Sequence, residues 1–125
     1  MGLKIKAGNT YEHTVEVNAQ GLRGTFVAHF ERLNDEQLAE VVDGFREKAS
    51  SEESTTADLF QFTRETLERY LAGVDGIADD SGTLDRQAAK AWVIQNPASA
   101  LSAFDALIDT QTSAAAKNLK PSRQR

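Results

Sequence analysis

Residues 10–31 read TYEHTVEVNAQGLRGTFVAHFE, and this stretch decides the fold of the first part of the chain. Its first eight residues alternate between two faces, one of which carries Tyr11, His13, Val15 and Val17. Such alternation is typical of a half-buried β-strand. A second strand from Arg23 to about Glu31 carries an apolar face of Phe26, Ala28 and Phe30. Because residues 18–21 supply turn residues, the sequence predicts a β-hairpin over 10–31. A hairpin is only marginally stable alone, so this one must pack against a helix or another chain.

Four helices are predicted after the hairpin. Apolar residues at helical spacing place them at about 34–48, 56–72, 85–95 and 97–116. At the first helix start, Asn34 and Gln37 stand at the two positions of a capping box. Gly73 is expected to end the second helix in the left-handed conformation. The third helix is expected to bury Ala88, Ala91 and Trp92.

This order of elements indicates the fold class. Strands first and helices afterwards predict an α+β, mainly α protein, in which an N-terminal β-hairpin is followed by about four helices in a small bundle. The length of 125 residues fits a single domain, which we place at 1–116. Residues 117–125 are basic, contain a proline and offer little apolar surface, so a disordered basic tail is expected there.

Composition limits the classes of function. The chain has a formal charge of −5 and no cysteine, which excludes disulfides and thiol chemistry. Between residues 31 and 80 we count 14 acidic and 5 basic side chains. This excess fits either a solvated helix surface or an electrostatic guide for a basic partner. We expect neither nucleic acid nor a membrane as partner, and a cytoplasmic location.

The residues that could carry chemistry favour structural roles. Residues 75–82, DGIADDSG, lack the ligand spacing of a calcium loop, and Asp79 to Gly82 instead predict a tight turn. His13 and His29 are placed on opposite faces of the hairpin, where they should not form one site. No nucleophile elbow, phosphate loop or dinucleotide motif is present. The sequence therefore predicts a protein that is not an enzyme, with no catalytic residues, no metal and no cofactor.

Taken in order, several segments resemble the phage tail assembly chaperones of long-tailed phages and prophages. The segments are GTFVAHFERLNDEQLAE, a strand leading into an acidic helix; LERYLAGVDGIADDSGTLD, a helix running into a short extended piece and a turn; NPASALSAFDAL; and AAAKNL. The resemblance spans roughly residues 10–118 and rests on the order and spacing of packing patterns.

The resemblance implies a task as well as a fold. Such chaperones bind and solubilise the long, helical, partly apolar tape measure protein and help to recruit tail tube subunits. The implied partners are thus the tape measure protein, the tail tube protein and further copies of this chain. The implied location is the host cytoplasm, outside the mature virion. Partner binding is expected on the apolar helix faces, through Phe60, Phe62, Leu67, Tyr70, Leu71, Trp92, Leu101, Phe104, Leu107 and Ile108. Packing in the core is the alternative for each of these side chains.

Two other functions stay open beside the chaperone. One is a structural minor tail component retained in the virion, and the other is a small host adaptor protein. In the resembled family a longer product is often made by ribosomal slippage, so Ala116, Lys117 and Asn118 mark a possible recoding site. A short basic tail without recoding is the alternative there.

Overall fold

The computed structural model describes residues 9–112. More than half of these residues are helical and about a quarter lie in strands, so the α+β, mainly α class is confirmed. The elements in chain order are β1 Thr10–Ala19, β2 Leu22–Glu31, α1 Asp35–Ser50, α2 Thr56–Tyr70, β3 Leu71–Asp75, β4 Ala78–Asp79, β5 Gly82–Thr83, α3 Arg86–Gln95 and α4 Pro97–Gln111. The predicted basic tail, the possible recoding site and the last residues of the fourth predicted helix lie outside the described residues.

The N-terminal hairpin forms as predicted, with strands that reach closer to the turn. β1 and β2 pair antiparallel from Thr10 with Glu31 to Ala19 with Leu22. Gln20 and Gly21 connect them, with φ angles of 54° and 77°. Positive φ at both central residues is the geometry of the tight turn that matches the twist of hairpin strands.

A third strand joins the sheet where the sequence predicted the end of a helix. α2 ends at Tyr70, and β3 begins at the next residue and pairs antiparallel with β2. Gly73 therefore does not end a helix, because it lies in β3 opposite His29. The extension of the second helix to residue 72 was wrong for the same reason. Pairing with β2 and burial of Leu71 and Val74 outweigh continued helix formation.

One face of the sheet forms the core with the helices. Its buried side chains are Val15, Val17, Phe26, Ala28, Phe30, Leu71 and Val74. α4 contacts β1 and β2, while α2 and α3 contact β3. α1 packs against α2 and begins at the predicted capping box, in which Asn34 Oδ1 accepts from the backbone N–H of Gln37 and Gln37 Oε1 accepts from that of Asn34.

The buried face of α3 differs from the predicted one. Ala89, Val93 and Ile94 are buried, whereas Ala88, Ala91 and Trp92 are exposed. Ala89 and Val93 lie one turn apart and point together toward the core. The prediction placed the large indole of Trp92 in the core. In the structure α3 lies close to β3, where a small residue such as Ala89 fits.

Candidate functional site

An apolar groove opens at the end of the sheet where the hairpin turns. Its volume is about 330 Å³. One wall comes from the hairpin, the opposite wall from the segment after β3, and the remainder from α3 and α4. The lining residues are Val17, Leu22, Arg23, Gly24, Phe26, Gly76, Ile77, Ala78, Asp79, Leu84, Trp92 and Ser99.

One hydrogen bond supports each of the two walls of the groove. The side-chain oxygen of Gln20, in the hairpin turn, accepts a hydrogen bond from the backbone N–H of Ala98 at 3.2 Å. This bond ties the turn to the first residues of α4. In the opposite wall, the backbone N–H of Leu84 donates to the carbonyl of Ile77 at 2.8 Å. The backbone on each side of the groove is thus hydrogen-bonded to another segment, as in a preformed binding site.

Gly76 lets the chain turn away from the sheet beside this groove. Its φ of 92° lies in the region that favours glycine, and a Cβ placed there would lie 3.7 Å from the Cα of Phe26. The chain therefore leaves β3 close to β2, and Ile77 follows directly as a wall residue.

Trp92 lies in the lining of the groove and is the sequence-predicted partner residue best placed for binding. Its exposed fraction is 36%, and Leu101, at 39%, is the other large apolar side chain exposed within residues 9–112. Leu101 does not line the groove. A half-exposed tryptophan beside an apolar cavity combines a large contact area with a polar N–H, as is common at binding sites.

Five of the predicted partner residues lie in the core instead. Each is at most 5% exposed, so a partner cannot reach it without disturbing the fold; they are Leu67, Tyr70, Leu71, Phe104 and Leu107. Core packing, the alternative stated for each, therefore holds for these five. The last three predicted partner residues, Phe60, Phe62 and Ile108, are half-buried.

Sequence reasoning missed most of the groove, because its lining comes from segments far apart in the chain. Ile77 and Leu84 carried one usable signal, since they are apolar residues on either side of a turn and belong to no helical or strand pattern. Apolar residues that no regular element buries are candidates for an exposed lining.

The histidines do not form a joint site, as predicted. His13 is exposed, whereas His29 is buried on the other face of the sheet. His29 Nε2 lies 2.7 Å from Asp75 Oδ2, and Arg86 Nε donates to the same carboxylate at 3.0 Å. The His29 and Arg86 hydrogen bonds hold the pKa of Asp75 below its ordinary value. Glu12 is farther away, with a carboxylate oxygen 4.0 Å from His29 Nδ1.

This cluster joins three elements, because His29 lies in β2, Asp75 in β3 and Arg86 at the start of α3. A Cβ on Gly73 would lie 3.3 Å from the Cβ of Arg86, so the arginine side chain passes close over the strand. The hydrogen bonds through Asp75 therefore link the start of α3 to both β2 and β3.

The aspartate-rich stretch is a turn, as predicted. β4 and β5 pair as a short hairpin, and Asp79 Oδ1 accepts from both the backbone N–H and the hydroxyl of Ser81. These bonds lower the pKa of the Asp79 carboxyl. Gly82 has a φ of 126°, a positive value that glycine adopts without steric cost in tight turns.

Within residues 9–112, no three histidine or acidic side chains are grouped so that they could hold a metal ion. No helix in the described part of the chain has the length and apolar content needed to cross a bilayer. A comparison with protein-family models found no match, and comparisons with curated proteins and with solved structures found none either.

Proposed function

We propose that this protein is a phage tail assembly chaperone, which binds the tape measure protein and keeps it soluble in the host cytoplasm. The observation that carries the proposal is the apolar groove with Trp92 in its lining. A long apolar helix aggregates in water until its apolar side chains are covered. A groove that accepts such side chains is the feature that a helix-binding chaperone needs.

The size of the groove fits this role. Its volume of about 330 Å³ lies at the low end of ligand cavities, which run from about 300 to 1,000 Å³. It therefore suits one or two apolar side chains of a client helix and is too small for a whole helix. Several copies bound along a long client would each cover one short segment, and weak contacts add up when they are many. Self-association and recruitment of tail tube subunits belong to the same proposal.

Co-expression with the tape measure protein tests the proposal. We expect the soluble fraction of the tape measure protein to rise when this chain is present, and the two proteins to co-purify. Trp92→Ala should reduce both effects, because it removes the largest side chain lining the groove. Leu101→Ala is the matched control, since it removes an exposed apolar side chain outside the groove.

Two results would count against the proposal. A tape measure protein that is equally insoluble with and without this chain removes its main support. Recovery of the chain in purified virions at a fixed copy number would favour a structural tail component instead. Circular dichroism of both variants separates loss of binding from loss of fold.

A further inference from the structure

The outer edge of β1 is an open edge of the sheet. β1 lies at one side of the strand order β1-β2-β3, and within residues 9–112 no strand pairs with it on its outer side. The opposite edge of the sheet is covered, because α3 packs against β3 and Gln87 Nε2 donates to the carbonyl of Ala72 at 2.9 Å. The ten-residue β1 is thus the strand that can accept a further strand.

The hairpin turn decides which backbone groups of β1 point outward. A two-residue turn separates the strands, so Ala19 and Leu22 exchange backbone hydrogen bonds, and every second residue of β1 points toward β2 from there. At the far end, the carbonyl of Asn9 accepts from the N–H of Arg32 at 2.9 Å, which agrees with this alternation. The residues whose N–H and carbonyl groups point away from β2 are all exposed; they are Thr10, Glu12, Thr14, Glu16 and Asn18.

The side chains of these five residues form an acidic row on the outer face of the sheet. Neither Glu12 nor Glu16 has a lysine or arginine partner within residues 9–112, although Glu12 lies 4.0 Å from His29 Nδ1. Opposite charges on neighbouring strands stabilise their pairing, and like charges destabilise it. A second copy of β1 would bring the same glutamates to this row. The row therefore disfavours self-pairing and favours a strand that carries lysine or arginine.

The other face of β1 is apolar. Val15 and Val17 are buried on it, and α4 covers it where the Tyr11 hydroxyl lies 2.6 Å from that of Thr110. Side chains of a strand alternate between the two faces, so every second residue of an added strand would lie on this apolar side. An added strand therefore needs apolar residues that alternate with basic or polar ones.

We propose that the outer edge of β1 binds an extended segment of a protein partner as a fourth, antiparallel strand, in which basic residues alternate with apolar ones. Backbone hydrogen bonds hold the segment, as in other cases of strand addition to a sheet edge. Glu12 and Glu16 select a segment with basic residues four positions apart. This inference goes beyond the proposed function and does not depend on it.

A designed peptide tests the inference on the full chain. The probe is acetyl-Thr-Lys-Val-Thr-Val-Lys-Thr-amide, whose lysines can stand opposite Glu16 and Glu12 while its valines lie on the apolar side. Amide hydrogen exchange, read from two-dimensional NMR spectra, reports which backbone groups become paired. In the free protein, the amides of residues 12, 14 and 16 should exchange fast, and those of residues 13, 15 and 17 slowly. Peptide at about ten times its Kd should slow the first group about tenfold.

Two N-methylated forms of the peptide separate strand pairing from charge attraction. Both keep the same two lysines. Methyl groups on the central threonine and the second lysine replace N–H groups that would face β1, so this form should not bind. Methyl groups on the two valines replace N–H groups that point away from β1, so this form should still bind.

Variants test the role of the two glutamates. Glu12→Gln combined with Glu16→Gln should weaken peptide binding about fivefold or more, since two charge contacts are lost. The matched control combines Glu40→Gln with Glu47→Gln, which removes the same charge from α1 and should leave binding unchanged. A peptide with glutamate in place of both lysines should bind only to the Glu12 and Glu16 double variant, if at all.

Three outcomes would overturn the inference. One is the absence of saturable binding, and another is equal binding of the two N-methylated forms, which would indicate charge attraction without strand pairing. The third is slow exchange of the amides of residues 12, 14 and 16 in the free protein. That result would mean that residues 1–8 or a second copy of the chain already pair with this edge.

Discussion

Replacing either of two tyrosines by phenylalanine removes one oxygen atom, and the two changes should alter stability in opposite directions. The Tyr70 hydroxyl is buried without a partner among the described residues. A buried polar group left unpaired costs about 1–3 kcal/mol in desolvation. Tyr70→Phe removes that cost and keeps the ring in the core, so we expect the free energy of unfolding to rise by about 1 kcal/mol.

Tyr11 is the matched case because its hydroxyl is well bonded. Its oxygen lies 2.6 Å from the hydroxyl of Thr110 and receives a hydrogen bond from the Gln111 amide at 2.7 Å. Both partners keep another bond after Tyr11→Phe, since Thr110 also donates to Ala106 and Gln111 to Glu31. Loss of two hydrogen bonds at about 0.5–1.5 kcal/mol each predicts a decrease of about 1–3 kcal/mol.

Urea unfolding followed by circular dichroism measures both changes, and a thermal scan gives a second reading. A change of 1 kcal/mol should shift Tm by roughly 3–6 °C in a domain of this size. If Tyr70→Phe lowers stability as much as Tyr11→Phe, the Tyr70 hydroxyl has a partner in solution, and the reasoning from its buried, unpaired state fails.

Three further predictions follow from packing and charge. Leu107 is fully buried, so Leu107→Ala should lower the free energy of unfolding by about 2–5 kcal/mol. Leu101 is exposed, so Leu101→Ala should change it by no more than about 0.5 kcal/mol. Equal losses for the two variants in urea unfolding would contradict this difference in burial. A Cβ on Gly44 would lie 2.8 Å from the ring of Phe62 and would clash with it. Replacing glycine by alanine inside a helix normally raises the free energy of unfolding by about 1 kcal/mol, so Gly44→Ala should show this gain only when Phe62→Leu has removed the ring. An additive double-mutant cycle would refute this coupling. Folding lowers the pKa of the Asp75 carboxyl from 3.8, so the ionised carboxylate stabilises the fold above about pH 4, and this stabilisation is lost as the pH falls through the folded-state pKa. The difference in unfolding free energy between wild type and Asp75→Asn should therefore shrink from pH 5 to pH 3. A constant difference would speak against the lowered pKa.

The parts of the fold that depend on local sequence could be predicted. The hairpin follows from alternation and turn residues, and the start of α1 follows from Asn34 and Gln37. At α2, Thr55 caps with Asp58, also from neighbouring residues. Each of these features is decided within a few positions of the chain, where spacing alone carries the information.

The parts that depend on distant contacts could not be predicted. β3 is only five residues long and forms because β2 offers an open edge, which no local pattern shows. The buried face of α3 is chosen by how closely it approaches β3, so Ala89 is inside and Trp92 is not. The groove combines four separate segments of the chain. The Tyr70 hydroxyl, which has no partner within residues 9–112, is recognisable as unpaired only after the core is assembled.

The place of β3 in the sheet has a consequence for synthesis on the ribosome. β2 and β3 meet across a separation of 46 residues, counted from His29 to Asp75, and both α1 and α2 lie between them. At about 5–20 residues per second, β2 waits roughly 2–9 s before its partner strand has been made. During that interval the edge of β2 that β3 will cover has open backbone N–H and carbonyl groups. The nascent hairpin is therefore most exposed to strand pairing with other chains before β3 has been completed.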